Sequence, residues 1–295
     1  MKKVLVVDSS ILNTIQQCAR KTQYSFIYNL QPFEKDEALE KGDLMHKMLE
    51  VYYSMRLDNG ADLNSSLWQE LVNEANIHPE GDTIQQGIQA GLYFASKMSI
   101  ASTISEEVID QFKAYTEFYQ HDGWHPIAVE EVGSKVIYED ENLKIVYNFK
   151  IDLVAEKGNT IVPFDHKTGS RRHEPSSLSN QFIGYCYALG TNSIIVNKIG
   201  FQKSLKPAER FMRYPIPIDS SRIEEWVKNS IWWTLQYQNF VENNYFPMNL
   251  TSCDKYSGCI FQKVCESDPE NRGFKLDREF TTVEHWDVAK TLETK

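Results

Sequence analysis

The chain has 295 residues, 41% of them hydrophobic, and a formal net charge of −10, enough apolar material for one large domain or two small ones. That charge excludes a protein that coats nucleic acid nonspecifically and confines any nucleic-acid contact to a local basic groove. The apolar run in MKKVLVVDSS is too brief for a signal-peptide core and no later stretch is long enough to cross a bilayer, so a membrane-free, cytoplasmic or nucleoid-associated protein is expected, whose five cysteines are thiols or metal ligands rather than a disulfide framework.

In chain order, Ser9 or Ser10 is placed to cap a helix running through Ile11, Leu12, Ile15 and Cys18, followed by Arg20-Lys21 and the aromatic Tyr24, Phe26 and Tyr28. Taken alone, Cys18 reads as a buried core thiol. Between Gly42 and Met55 the residues Leu44, Met45, Met48, Leu49, Tyr52 and Tyr53 form a helical apolar stripe with His46 at its edge. A lone histidine there is ordinarily structural. Residues 58–120 read as several helices, broken at Glu80-Gly81-Asp82, the last starting near Ser105 with Val108, Phe112, Tyr115 and Tyr119. No chemistry is visible in this block. Trp124 to Tyr138 turns to strand character, with Glu131 a candidate acidic neighbour of a cation held by the next pair of strands.

The segment from Leu143 to Gly169 predicts a β-hairpin. Ile145, Tyr147, Phe149, Ile151 and Leu153 alternate with Asn148, Lys150 and Asp152. Gly158-Asn159 then supplies a two-residue turn of type II′, because glycine takes the positive φ required at its first position. With those two residues in the turn, Asp152 lies opposite Asp165, their β-carbons about 5 Å apart. Lys167, two residues beyond Asp165, shares that face. Two carboxylates so close repel unless a cation sits between them, and hard oxygen ligands suit Mg²⁺ or Mn²⁺. A solitary Asp-x-Lys is ordinarily a solvated surface pair.

Arg171 and Arg172 come next in a polar loop that fits equally a phosphate contact and a solvated surface. A helix from Asn180 to Leu189 places Gln181 and Tyr185 one turn apart on one face, with Cys186 on another as an unpaired core thiol. Residues 192–213 hold strands, with Ile194 to Val196 buried and Lys203, Lys206, Arg210 and Arg213 available to a nucleic-acid backbone. Asp219 to Phe246 is a long helix with Ser221 and Glu224 spaced as a capping box, and its Trp226, Trp232, Trp233, Tyr237 and Phe240 read as core. Cys253, Cys259 and Cys265 come after it, with five residues in each gap, wider than zinc pairs usually show. Glu266 to Lys295 reads as a loosely held polar tail, with Trp286 as its docking residue.

Asp152 after a hydrophobic strand, then Asp165-His166-Lys167, resembles the signature of the PD-(D/E)XK nuclease superfamily. Gly42 with His46, Gln181 with Tyr185, and the four cysteines Cys18, Cys253, Cys259 and Cys265 are similar to motifs of its RecB-like exonuclease branch with an iron-sulfur cluster, which includes CRISPR-associated and AddB-type nuclease domains. The resemblance implies an α/β (α+β) fold: a restriction-endonuclease-like core of a mixed central β-sheet flanked by helices. One nuclease domain would span 1–266, with a helical insertion at about 58–125 and a cysteine segment at 250–266 stapled by the cluster, followed by a tail at 267–295. It further implies Mg²⁺ or Mn²⁺ held by His46, Asp152, Asp165 and the backbone carbonyl of His166, with Glu50 orienting His46. Asp152, Asp165 and Lys167 would be catalytic, assisted by Gln181 and Tyr185, and the latter two with Arg171 and Arg172 would meet DNA. The four cysteines would hold a [4Fe-4S] cluster. The implied activity is exonucleolytic hydrolysis of DNA in recombination or repair, with helicase, recombination or spacer-acquisition proteins as partners; the alternative is a noncatalytic DNA-end-binding or scaffold subunit of such a complex.

Overall fold

A computed structural model of the protein describes residues 2–34, 36–57, 83–98, 100–169, 174–255, 258–285 and 288. The chain divides into two units, each assembled from separated segments: Met1–Lys35, Gly133–Phe149 and Ser221–Thr294 in one, Asp36–Val132 and Lys150–Ser220 in the other. Strands β3 (His125–Glu139) and β4 (Leu143–Lys157) contribute residues to both.

In the first unit, β1 (Lys3–Val7) runs parallel to β4, with Lys3 opposite Leu143 and Val7 opposite Tyr147. Asp140 makes the β3–β4 turn, its Oδ1 accepting from the N–H groups of Asn142 (2.8 Å) and Leu143 (2.7 Å), an Asx turn that closes a hairpin without glycine. Helix α1 (Ser9–Gln17) is capped by Asp8, whose Oδ1 accepts from Ile11 N at 2.8 Å, rather than by Ser9 or Ser10. A carboxylate at that position also meets the positive end of the helix dipole. The predicted helix does not continue through Cys18. Its backbone there is extended (φ −167°, ψ 120°) before the short α2 (Ala19–Thr22) and a π-turn at Gln23–Ile27.

The segment expected to be a loose tail is folded over its described residues up to His285. Strands β2 (Leu30–Pro32) and β8 (Phe280–Thr282) pair antiparallel, and Phe280 stacks on Phe261 with ring centroids 4.7 Å apart. Its Leu276 and Phe280 join Tyr24, Phe261 and Val264 in a small core, two apolar residues that a charged background disguises in the sequence. Trp286 lies outside the described residues. The long helix covers Ser220–Glu242, so Ser221 falls inside its first turn rather than at the cap. Trp226 is buried edge-on to Tyr147, whereas Trp232 is exposed.

In the second unit, β4 and β5 (Thr160–Thr168) form an antiparallel hairpin, β5 and β6 (Ser193–Ile199) pair parallel, and β6 and β7 (Phe211–Pro217) antiparallel. This is a mixed sheet. Helix α3 (Glu37–Ser54) brings Leu44, Met45, Met48, Leu49, Tyr52 and Tyr53 into one core with Leu153, Phe164 and Ile195 of the sheet. Helices α4 (Thr83–Lys97) and α5 (Ser102–Tyr119) add Ile88, Leu92, Val108, Phe112 and Tyr115 to that core. Residues 58–82 of the expected insertion lie outside the described ones. The fold class is the expected one: a mixed α/β architecture with a central mixed sheet flanked by helices, of the restriction-endonuclease-like kind.

Candidate active site

The hairpin register pairs Lys157 with Thr160 and Leu153 with Phe164; one step further, Asp152 faces Asp165. Gly158 has φ 61° and Asn159 stays at negative φ, as a II′ turn requires. The register thus comes from two turn residues and the alternation beside them.

Around this step the charged groups converge. Asp165 is fully buried and Lys167 Nζ donates to its Oδ1 at 3.0 Å. Its Oδ2 lies 2.9 Å from the same ammonium but receives no hydrogen bond of acceptable direction, so this buried oxygen retains acceptor capacity. Asp152 Oδ2 accepts from the backbone N–H of His166 at 2.7 Å. His46, on α3, brings Nδ1 to 3.8 Å from Asp152 Oδ2 and meets the His166 ring edge-on, with centroids 6.0 Å apart. Gly42 lets the helix approach: a β-carbon there would sit 3.0 Å from Thr168 Oγ1.

The electrostatics of the site are set by this crowding. Burial, reinforced by the Asp165 charge, raises the Asp152 carboxyl well above its ordinary range. Burial lowers the His46 imidazole, and lowers His166 further, so both rings favour the neutral form. Burial works to lower Lys167, but Asp165, hydrogen bonding and Asp152 outweigh it and raise the ammonium, keeping it charged. Lys167 Nζ also donates to Gln181 Oε1 at 2.9 Å, Gln181 Nε2 donates to Tyr185 OH at 2.9 Å, and Tyr185 OH donates to the Lys150 carbonyl. Helix α6 (Asn180–Leu189), capped by Ser179, positions this pair.

Other expectations fare differently. Glu50 is taken by Lys47, at 2.5 Å, rather than orienting His46. The acidic neighbour of Asp152 is Glu130, not Glu131: Glu130 sits at φ 49°, pairs with Lys150, and its charge contributes to raising Asp152. That positive φ on a side-chain-bearing strand residue was invisible in the alternating pattern. Arg213 does not face a nucleic-acid backbone; it is half-buried, paired with Asp122 and lying 3.8 Å over the Tyr119 ring. Lys203 and Arg210 are engaged by Asp110 and Gln111, each at 2.7 Å. Arg171 and Arg172 lie outside the described residues.

Within the first unit, Cys18, Cys253, Cys259 and Cys265 line one cavity of about 560 Å³. Asn249 N–H donates to Cys18 Sγ at 3.4 Å. Burial pushes the Cys253 and Cys265 thiols up, and the neighbouring Cys259 and Cys18 add to the shift in both. Cys186 is buried in the other unit. Among the described residues no three His, Cys, Asp or Glu side chains are drawn tightly enough to enclose an ion.

A profile of the PD-(D/E)XK nuclease superfamily matches residues 9–266. The chain belongs to that superfamily. The matched span takes in the hairpin with Asp152, Asp165 and Lys167, and all four clustered cysteines. PD-(D/E)XK nucleases typically use Mg²⁺ or Mn²⁺, and the donors here fit a hard divalent cation: two opposed carboxylates, one with an unsatisfied buried oxygen, a neutral imidazole and a carbonyl. No functionally curated protein matches the sequence. A solved structure described as "Crystal structure of SSO0001" is 16% identical and aligns over 77% of this chain and 96% of its own, with a TM-score of 0.31. Among the described residues no helix is long and apolar enough to cross a membrane.

Proposed function

We propose that this PD-(D/E)XK protein is a Mg²⁺- or Mn²⁺-dependent DNA exonuclease of the RecB-like kind, acting in recombination, repair or related processing with helicase or spacer-acquisition partners. The observation that carries the reading is the convergence of Asp152, Asp165 and Lys167 at one step of the β4–β5 hairpin, with His46 brought in by α3. His46, Asp152, Asp165 and the His166 carbonyl would hold the divalent ion, which when bound supplies Lewis-acid polarisation of the scissile phosphate and a more acidic water. Lys167, kept charged by its carboxylate neighbours, orients that water and stabilises negative charge developing on the phosphate oxygens. Gln181 and Tyr185 limit where the ammonium can point. Arg171 and Arg172 are assigned to the DNA backbone.

Cys18, Cys253, Cys259 and Cys265 would hold a [4Fe-4S] cluster; their shared cavity and the N–H donated to Cys18 support that reading. Four thiolates so placed tie the segment after the long helix to the first helices. Protein purified without oxygen should contain iron and absorb broadly near roughly 400 nm; Cys253→Ser should lose both and lose solubility. Zinc in place of iron refutes the assignment.

The deciding experiment is time-resolved digestion of end-labelled linear and circular DNA with Mn²⁺. Degraded linear DNA beside intact circles is the expected result, abolished by Asp165→Ala and by Lys167→Ala. Cleavage by either variant at the wild-type rate removes the proposed centre. DNA-end binding without metal-dependent turnover by the wild type would identify a scaffold subunit instead.

A further inference from the structure

Behind the candidate centre, on the residue between Asp165 and Lys167, lies a buried polar network that the proposed chemistry does not use. His166 Nδ1 is 2.9 Å from Asn197 Nδ2, its partner in the β5–β6 register. Asn197 is fully buried; its Nδ2 also donates to Tyr115 OH at 2.8 Å, and its Oδ1 accepts from Arg213 Nε at 3.4 Å. Tyr115 OH and Tyr53 OH are 2.7 Å apart. The guanidinium is itself pinned, paired with Asp122 and lying over Tyr119.

The hydrogen-bond inventory permits one arrangement. A guanidinium has donors and no acceptor, so the Asn197 amide must turn its oxygen to Arg213. Its NH₂ therefore faces His166 and Tyr115. A donor aimed at His166 Nδ1 requires a lone pair there, so the neutral ring carries its proton on Nε2. The ring has little freedom to leave this setting, since Tyr53 stacks on it at 5.7 Å with an interplanar angle of 15° and His46 meets it edge-on at 6.0 Å.

We infer that Arg213, acting through Asn197, fixes the orientation and tautomer of the His166 ring and thereby holds the main-chain segment that braces the catalytic pocket. The backbone N–H of His166 donates to Asp152, and its carbonyl is the one assigned to the divalent ion. A ring locked at Nδ1 restrains the χ angles of His166, and through them the direction in which both backbone groups point. Asn197 and Arg213 are positioning residues: neither side chain hydrogen-bonds or pairs with Asp152, Asp165 or Lys167. In sequence, the signal is an asparagine ending the apolar run Ile194-Ile195-Val196. A polar side chain in a buried strand requires partners.

The metal-site part of this inference rests on the proposed function, so the test separates the two. The chain has seven histidines; with ¹⁵N-labelled histidine, the His166 ring signals are those missing from His166→Gln. In wild-type protein without metal, long-range ¹H–¹⁵N correlation should show a bare Nδ1 and a protonated Nε2; a proton on Nδ1 overturns the inference outright. Asn197→Asp leaves only acceptors opposite Nδ1, so Nδ1 should become protonated, and the His166 amide should exchange about tenfold faster or more as its bracing loosens. Arg213→Lys keeps a donor at that place and should preserve the wild-type tautomer, so it serves if the aspartate variant does not fold. An Asn197→Asp ring and amide indistinguishable from wild type, or a changed tautomer in folded Arg213→Lys, overturns the relay. Mn²⁺ affinity by electron paramagnetic resonance should fall about 10–100-fold in Asn197→Asp, as for other residues that orient ligands. Wild-type affinity in that variant, despite a changed tautomer, overturns the positioning role. If wild-type protein binds no Mn²⁺, the nuclease reading fails while the ring and amide measurements still decide the relay.

Discussion

Asp165→Asn should make the metal-free protein more stable while removing its response to metal. The opposed β-carbons of a hairpin pair are about 5 Å apart, and at an effective dielectric constant near 20 two unit charges at that distance repel by about 3 kcal/mol. In the metal-free protein this cost is carried by Asp152, whose carboxyl is raised by burial and by Asp165. The amide removes the repulsion and keeps the shape. Against this stands the lost ion pair to Lys167, but that side chain is 43% exposed, and a screened pair of this kind is worth about 1 kcal/mol or less. The ammonium also retains Gln181 at 2.9 Å. The net expectation is a gain of about 1–2 kcal/mol without metal. Wild-type protein at an Mn²⁺ concentration of about 100 times Kd should gain about 2.7 kcal/mol, and the variant nothing. Urea denaturation with and without Mn²⁺ measures both. A variant less stable than wild type without metal would show that Asp165 is held by its ion pair rather than strained against Asp152, and an undiminished Mn²⁺ effect would refute the metal site.

Because Asp152 is raised, its charged form costs stability, and the cost grows as pH climbs from the ordinary carboxylate range through the raised value. The stability difference between Asp152→Asn and wild type, both without metal, should therefore widen in favour of the variant with rising pH and then level off; a pH-independent difference contradicts this. For the same reason Mn²⁺ must displace a proton, so calorimetry should find weaker binding at lower pH and proton release on binding. Tyr185→Phe strands the Lys150 carbonyl and frees Gln181. It should cost about 1–3 kcal/mol of stability and lower kcat more than it raises KM, and an unchanged kcat would leave the pair no part in aligning Lys167. Gly42→Ala should destabilise, although alanine is the better helix former by about 1 kcal/mol, because its β-carbon would press on Thr168 Oγ1. Thr168→Ala in the same chain should restore the loss, and a stabilised single variant would show that the helix approaches less closely than the structure has it.

The local half of this protein was legible residue by residue. Alternation from Ile145 to Leu153 and a Gly-Asn turn determine a register, and a register places Asp152 beside Asp165 and Lys167 without reference to the rest of the chain. The stripe from Leu44 to Tyr53 and the spacing of Gln181 and Tyr185 are equally local, since 3.6 residues per turn decides what shares a face. What tertiary structure alone decided involves contacts between residues far apart in sequence. Arg213 looks like a surface cation until Asp122 and Tyr119 enclose it. Glu130 gains its place beside Asp152 from one left-handed residue that no alternation announces. The last segment looked like a tail because its helix Arg272–Glu279 is mostly charged, and only the stacking of Phe280 on Phe261 and the pairing of β8 with β2 show its part up to Thr282 to be folded. Periodicity carries information over one or two turns or strands; the partner of a buried charge is chosen by packing, which a linear pattern does not encode.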